Sequence, residues 1–390
     1  MTSQVFGSAG YVSAVAFLGL LAADLTGNDR LAGVPNATMT LGTALLAGPL
    51  ARRAIHRGRR TALVTGYLLG AVGAVASFLA GQTGSFLLLL PALLVLGSLQ
   101  ASGLQTRFAA ADHASPDQRA RAISLVVWVG AIGGVLGPSL ATWENDFGIS
   151  LGARPWVSPL LLAAVLSLIA AGVVSQRLPT SPALAGRAAP ASRWTETWTH
   201  VTANPLALLG IVTVALSQAA MVAVMVMTPL HMRDHGQAEL SGFVIAVHVF
   251  GMFGLAPVVG RFVDRLGPVR TIKIGATILG AGVLISVIAG YHPVLIFVGL
   301  FLLGLGWNFG LISGSTLLTS SIEGGYRLAA QGLSDSVLSI LGGAAALVSG
   351  FVKQSWGFPW LANVALALAV VVLVWTVMVS RRPSQVPSPL

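Results

Sequence analysis

At 390 residues the chain is long enough for two or three soluble domains, but its composition excludes them: 55% of its residues are hydrophobic, 9% are charged and mean hydropathy is +0.83. A soluble domain carries roughly 25% charged residues, so most of this surface is built for lipid. The absence of cysteine rules out disulfides, thiolate metal sites and cysteine nucleophiles. The 22 Lys and Arg exceed the 12 Asp and Glu to give a net charge of +10. Where the basic residues fall decides whether this signals a polyanionic partner or a membrane topology.

In chain order, apolar stretches of about 20 residues, enough to cross a hydrocarbon core at about 1.5 Å per residue, predict membrane helices at 6–25, 31–51, 61–80, 85–106, 122–143, 157–176, 205–230, 241–261, 271–290, 294–319, 328–352 and 359–380. The first lacks a basic leader and a cleavage site and is expected to be a retained helix, not a signal peptide. With the N-terminus in the cytoplasm, 18 of the 22 basic residues fall in inner loops, Arg107 among them, and four, Arg30, Arg154, Arg233 and Lys353, fall outside. Basic residues favour the cytoplasmic ends of membrane helices. Both termini are therefore expected in the cytoplasm of a multi-pass protein of the bacterial cytoplasmic (inner) membrane. The positive charge then meets anionic headgroups of the lipid bilayer, and no nucleic-acid partner is implied.

A polar stretch, 177–204, containing Pro179, Pro182 and Pro190, divides an N-terminal six-helix bundle, 1–176, from a C-terminal one, 205–390. The halves echo each other. Gly48-Pro-Leu-Ala-Arg-Arg, followed by Arg57-Gly-Arg-Arg, has a counterpart in Gly260-Arg-Phe-Val-Asp-Arg-Leu-Gly267, and Arg119-Ala-Arg-Ala-Ile-Ser has one in Arg327-Leu-Ala-Ala-Gln-Gly. Two parallel repeats are implied.

These residues resemble the major facilitator superfamily, whose loop between the second and third helices of each half reads G-x-x-x-D-R-x-G. Gly260, Asp264, Arg265 and Gly267 match at every position; the N-terminal copy has Arg52 in place of the aspartate and three extra residues before Gly58. The resemblance implies an all-α membrane protein with twelve transmembrane helices in two pseudo-symmetric six-helix bundles, a gating role for that loop, and transport by alternating access. No phosphate-cradling glycine loop, acidic metal pair or nucleophile–base set appears, so an enzyme is not expected. No resident cofactor is implied, and a monomer is expected. The glycine-rich run from Gly130 to Pro138 partly resembles the fifth-helix signature of drug/proton antiporters, although small residues also pack membrane helices generally.

Ionisable residues inside a membrane are functional candidates, because inserting one costs about 2.5–3.5 kcal/mol. Asp335 lies eight residues into the eleventh helix, Asp24 near the outer end of the first and His248 seven residues into the eighth. Asp24 and Asp335 are candidates for coupling, and the closeness of Asp335 to Arg327 also permits a structural ion pair. The remaining carboxylates, Asp112 among them, are placed in loops.

The methionines cluster: five of the eight, Met221, Met225, Met227, Met232 and Met252, lie in 221–252, with His231, His235 and His248. Met221 and Met225 are four apart on one helix, and His248 and Met252 four apart on the next, so each pair projects to one face. Counted inward at about 1.5 Å per residue, the pairs overlap roughly 8–16 Å below the outer surface. Thioether sulfur is a soft ligand that selects Cu(I), and imidazole also suits copper. The competing reading is that methionine fills gaps in an apolar core.

The two motifs resemble those of bacterial copper importers of the CcoA type, which carry Met-x-x-x-Met in the seventh helix and His-x-x-x-Met in the eighth. That resemblance implies a copper ion as transported substrate, bound by Met221, Met225, His248 and Met252, and delivered for cytochrome oxidase assembly. His231, Met232 and His235 are expected to capture copper at the outer mouth. Two alternatives stand: a proton-coupled multidrug exporter using Asp24 or Asp335, and a riboflavin-like nutrient importer using Trp128, Trp307 and Asn308. Topology is the first test: reporter fusions at residues 190 and 385 should read cytoplasmic and one at 153 external, and an external signal at 190 would overturn the helix count.

Overall fold

A computed structural model describes residues 2–28, 31, 33–112, 114–179, 194–234, 240–290, 292–322 and 326–381. In chain order the helices are α1 (Thr2–Thr26), α2 (Val34–Gln82), α3 (Phe86–Asp112), α4 (Arg119–Ser150), α5 (Ser158–Arg177), α6 (Trp194–Ala203), α7 (Pro205–Asp234), α8 (Ser241–Val249), α9 (Ala256–Leu266), α10 (Pro268–Ile288), α11 (Pro293–Ser321), α12 (Tyr326–Trp356) and α13 (Phe358–Ser380). Ten helical stretches among the described residues are long and apolar enough to cross a bilayer, with α8 and α9 forming one of them. Without water to bond it, backbone in hydrocarbon must close its own hydrogen bonds, and helices do so within one segment.

Local signals set the boundaries. Proline stands in the first turn of α2, α5, α9, α10, α11 and α13, where its missing N–H leaves no bond unmade. The predicted helices 31–51 and 61–80 run together as α2, a 49-residue stretch about 70 Å long. It bends at Gly58, whose φ of 82° and ψ of 160° are non-helical. Gly267, between α9 and α10, adopts φ 82° and ψ 154°, the same conformation in the corresponding loop and one open to glycine alone. The three extra residues before Gly58 add a little less than one helical turn, about 300°.

Two further boundaries differ from expectation. The fourth predicted loop, 107–121, is shorter, because α3 continues to Asp112 and takes Arg107 into the helix, where it is 2% exposed. The polar linker holds a ten-residue helix, α6, whose His200 ring lies 3.7 Å from that of Tyr326 at the start of α12.

The N-terminal core packs α1 against α4 and α5, and α2 against α3 and α5, around Leu18, Leu21, Tyr67, Leu93 and Leu96. In the C-terminal half α7 packs on α11, α12 and α13, and α10 on α11 and α13. The two broadest contacts between the halves are α2 with α12 and α4 with α9. Both are made by glycine. A β-carbon on Gly260 would strike the Ser124 side chain and lie 3.0 Å from the Ala120 carbonyl; one on Gly332 would strike the Ala51 β-carbon and lie 3.1 Å from the Ala47 carbonyl. Farther along, α2 and α12 part and leave a crevice of about 400 Å³ between 34–41 and 339–347.

Overpacking a tight contact typically costs about 1–3 kcal/mol. Gly332→Val should therefore lower the thermal unfolding midpoint of purified protein, while Gly350→Val, which faces open space, should leave that contact intact and shift the midpoint less.

Candidate functional site

Two polar groupings lie inside the membrane-spanning region. The first is between α8 and α11. His248 is fully buried, and its Nδ1 lies 2.8 Å from the Leu300 carbonyl oxygen. A carbonyl only accepts, so Nδ1 carries the proton and Nε2 presents a lone pair, which has no partner. Asn308 is equally buried, and neither atom of its carboxamide has a partner. A β-carbon on Gly304 would strike the His248 carbonyl and lie 3.1 Å from its Nδ1. Asn308 is one turn beyond Gly304 on α11, so it shares the face that meets α8. Two unmet acceptors and one unmet donor group therefore lie at one helix interface.

Apolar and aromatic groups adjoin it. Trp307 donates its Nε1–H to Gln218 Oε1 on α7 at 2.7 Å, and Phe253 stands edge-on to its ring at 5.7 Å. Met221, Met225 and Met252 belong to the same apolar cluster as Trp307, with Met221 buried and the other two partly so. The spacing argument for His248 and Met252 needs correction, because residues Phe250–Gly254 form a π-helical turn. That wider turn replaces α-helical geometry from Phe250 onward, between His248 and Met252. Met252 is held against α11, where its backbone nitrogen lies beside Gly304.

The second grouping bridges the halves. Arg327, Gln331 and Asp335 recur every fourth residue along α12 and so form one stripe. Arg327 pairs with Asp112 at 3.0 Å, Gln331 accepts from Arg59, and Asp335 pairs with Arg107 at 2.6 Å. Arg59 also pairs with Asp112 at 2.8 Å. The Arg107–Asp335 pair is the more deeply buried, at 2% and 0% exposure. Arg107 further donates to the Leu104 carbonyl at 2.9 Å and Ser315 Oγ at 3.3 Å, and its guanidinium carbon is 4.5 Å from the Phe108 ring centre. Sequence proximity suggested Arg327 as the partner of Asp335; two helical turns separate them, and each instead meets an N-terminal residue at its own level.

Asp264 accepts the backbone N–H groups of Ala120 and Arg121, both at 3.2 Å, at the start of α4. A carboxylate there meets the unsatisfied amides and the positive end of the helix dipole. Gly260 sits one turn earlier against Ser124, and Arg265 is exposed.

The other predicted residues fall elsewhere. Met232 is 1% exposed and packs with Val244, Ala289, Ile296 and Leu300, so burial removes it from an open capture site. The His231 side chain and all of His235 lie outside the described residues. Asp24 is exposed in the last turn of α1, and Trp128 is 41% exposed on α4. Gly133 and Gly137 bring α4 against the α1 backbone, a packing role for the glycine-rich run. Sequence reasoning passed over Arg107, Arg59 and Gln331; the four-residue spacing of Arg327, Gln331 and Asp335 was the available signal.

The sequence matches the family model described as Major Facilitator Superfamily over residues 1–238 and 211–390. The chain belongs to the major facilitator superfamily. Its members are transporters, not enzymes, and this chain is a multi-pass membrane transporter. It is 36% identical over 389 residues to the uncharacterized MFS-type transporter YdeG of Bacillus subtilis, covering 96% of this chain and 90% of that one. It is 28% identical to the riboflavin transporter RfnT of Brucella anthropi, covering 95% and 93%. Among solved structures, the E. coli fucose:proton symporter FucP superposes with a TM-score of 0.74 at 15% identity, covering 97% and 98%. The fold is the major facilitator fold.

A carboxylate at a helix N-terminus contributes typically about 0.3–1 kcal/mol, more when partly buried. Asp264→Asn should therefore slow transport, because it weakens the α9–α4 contact, while leaving equilibrium solute binding near wild type. Equal loss of both would reduce the loop to a folding element.

Proposed function

We propose that this transporter carries a planar, polar organic nutrient of the flavin class into the cell by alternating access between its two halves, 1–176 and 205–390, joined by the linker 177–204. Dividing α2 at Gly58 and counting α4 gives twelve crossings, with both termini in the cytoplasm as the basic residues suggest. The observation that carries the substrate reading is the set of unpartnered atoms on α8 and α11: His248 Nε2 and both polar atoms of Asn308. Leaving such a group buried and unsatisfied costs about 1–3 kcal/mol each. A flavin's imide edge, with one N–H donor between two carbonyl acceptors, meets both atoms of the Asn308 carboxamide, and a hydroxyl of the same solute can donate to His248 Nε2. Trp307 and Phe253 supply the flat apolar surface beside it. The riboflavin transporter among the relatives supports the same class.

Copper import is the second reading. Its specific support is that His248 has Nδ1 tied to a carbonyl and Nε2 free, the orientation typical of a ligating imidazole, with three thioethers in the neighbouring cluster. The carboxamide of Asn308 is a poor partner for a soft cation, and this favours the organic solute.

Uptake of labelled riboflavin and of copper by cells with and without the protein separates the two. Under the flavin reading Asn308→Leu lowers riboflavin uptake about tenfold or more, since 1.4 kcal/mol is a factor of ten. Met221→Leu/Met225→Leu stays near normal, because such swaps usually cost under about 1.5 kcal/mol. Protein-dependent copper uptake that is lost in the double methionine variant and kept in Asn308→Leu would reverse the order.

A further inference from the structure

Beyond the three polar rungs of α12, at 327, 331 and 335, the same helix borders the crevice of about 400 Å³ that it shares with α2. Both helices are long and apolar enough to cross a bilayer. Leu41 on one side, with Ile340 and Leu347 on the other, line the crevice and are 50%, 54% and 63% exposed. Apolar side chains exposed on a membrane-spanning stretch face hydrocarbon, so the crevice opens sideways into lipid.

Its inner walls are small residues, Ala37, Gly343 and Ala344. It ends where α2 and α12 meet again, since a β-carbon on Gly343 would lie 3.1 Å from Thr40 Cγ2. The adjoining Gly342 backs onto Gln218, where a β-carbon would lie 3.0 Å from Gln218 Cγ, and Gln218 holds Trp307 of the candidate site. The floor of the crevice is thus one residue along α12 from a contact with that site.

The chemistry of the lining selects what fills it. Thr38 and Thr40 donate their hydroxyls to the Val34 and Asn36 carbonyls of their own helix, both at 2.8 Å, which leaves Ser339 as the remaining hydroxyl on the lining. A buried water makes about three hydrogen bonds, and these walls supply few. A gap left unfilled forfeits the dispersion contacts of its whole lining. Among the described residues no charged side chain lines the crevice, so a headgroup has no partner there and an apolar tail suits it. At about 30 Å³ for each water-sized group, the volume takes on the order of a dozen methylenes.

We propose that the crevice is a binding site for one acyl chain of a phospholipid in the leaflet at that end of the bundle. The headgroup stays at the membrane surface near Val34, where α2 begins, and the chain runs between α2 and α12 toward Thr40 and Gly343. Seated there, it closes the lateral gap beside the candidate site, so that the site opens to water at the parted end and not to hydrocarbon from the side. The proposal is independent of which solute is carried.

The chain has no cysteine, so a single introduced one carries a fluorescent bimane label. Ala37→Cys reports from the crevice, and Leu45→Cys, on the same stripe of α2 and 57% exposed, reports from open lipid. Full-length protein is placed in vesicles of phosphatidylcholine with plain or brominated acyl chains, without solute. Brominated chains should quench the label at position 37 as strongly as that at position 45, and iodide in the water should quench neither. Ala344→Phe, which fills the crevice from α12, should protect the label at position 37 and leave that at position 45 quenched. Should that variant fail to insert, Ala344→Leu serves the same comparison. Iodide quenching at position 37 would make the crevice a water path, and quenching there by neither agent would close it to lipid. Either result, or brominated-lipid quenching at position 37 that persists in the filled variant, overturns the proposal. Because no solute is present, these outcomes leave the flavin and copper readings untouched.

Discussion

The close approach of two helix pairs governs the interior of this transporter. Where α9 meets α4 and α12 meets α2, the glycines at 260 and 332 have no β-carbon to hold the backbones apart. Apolar surface gives little drive for helix association inside lipid; packing of small residues and hydrogen bonds between helices supply it instead. Because the backbones touch, side chains on either side come within bonding range. Ser336 donates to the Ala44 carbonyl at 2.8 Å, and the three rungs on α12 find their N-terminal partners. A wider interface would leave those charges facing lipid or each other.

Polar satisfaction is uneven among the buried side chains. Many buried hydroxyls close back onto their own helices, as Thr43, Ser167, Thr228 and Thr376 do. These bonds relieve desolvation and ask for nothing further. His248, Asn308 and Asp335 each keep at least one polar atom unpaired, as do the hydroxyls of Ser77, Thr213 and Ser334, but an imidazole, a carboxamide and a carboxylate are the costlier groups to leave so. In hydrocarbon an unpaired polar atom is expensive, so a site that keeps one is where a polar solute gains most by binding.

The fold was legible because its signals are long-range and redundant. Twenty-residue apolar runs, the repeated loop motif, and prolines and glycines at helix starts and stops all agree, and the twin conformations of Gly58 and Gly267 express in backbone angles the repeat seen in the sequence. The site was legible only in part. His248 stood out as an ionisable residue in an apolar helix, and Asn308 entered through an alternative. Arg107 was lost for a physical reason: hydropathy ends a helix at the first arginine, yet a guanidinium inside a bundle is held by a carboxylate from the other half, 228 residues away in sequence. No local pattern reports such a partner. The π-helical turn at Phe250–Gly254 was also invisible, since spacing arguments assume 3.6 residues per turn.

The two loops that share a backbone conformation do not share a chemistry. In the C-terminal half Asp264 meets backbone amides of α4, an attraction between a full charge and a helix end that falls off within one turn. In the N-terminal half Arg52 occupies the matching position and cannot make that contact, since the positive end of a helix repels a cation. The load there passes to Asp112, a carboxylate at the far end of α3 that gathers Arg59 and Arg327, with Arg107 and Asp335 one level deeper. Repeat symmetry therefore sets where the halves touch, while charge sets how firmly each contact is held. One contact combines a helix end with small-residue packing; the other adds two stacked ion-paired levels to its glycine contact.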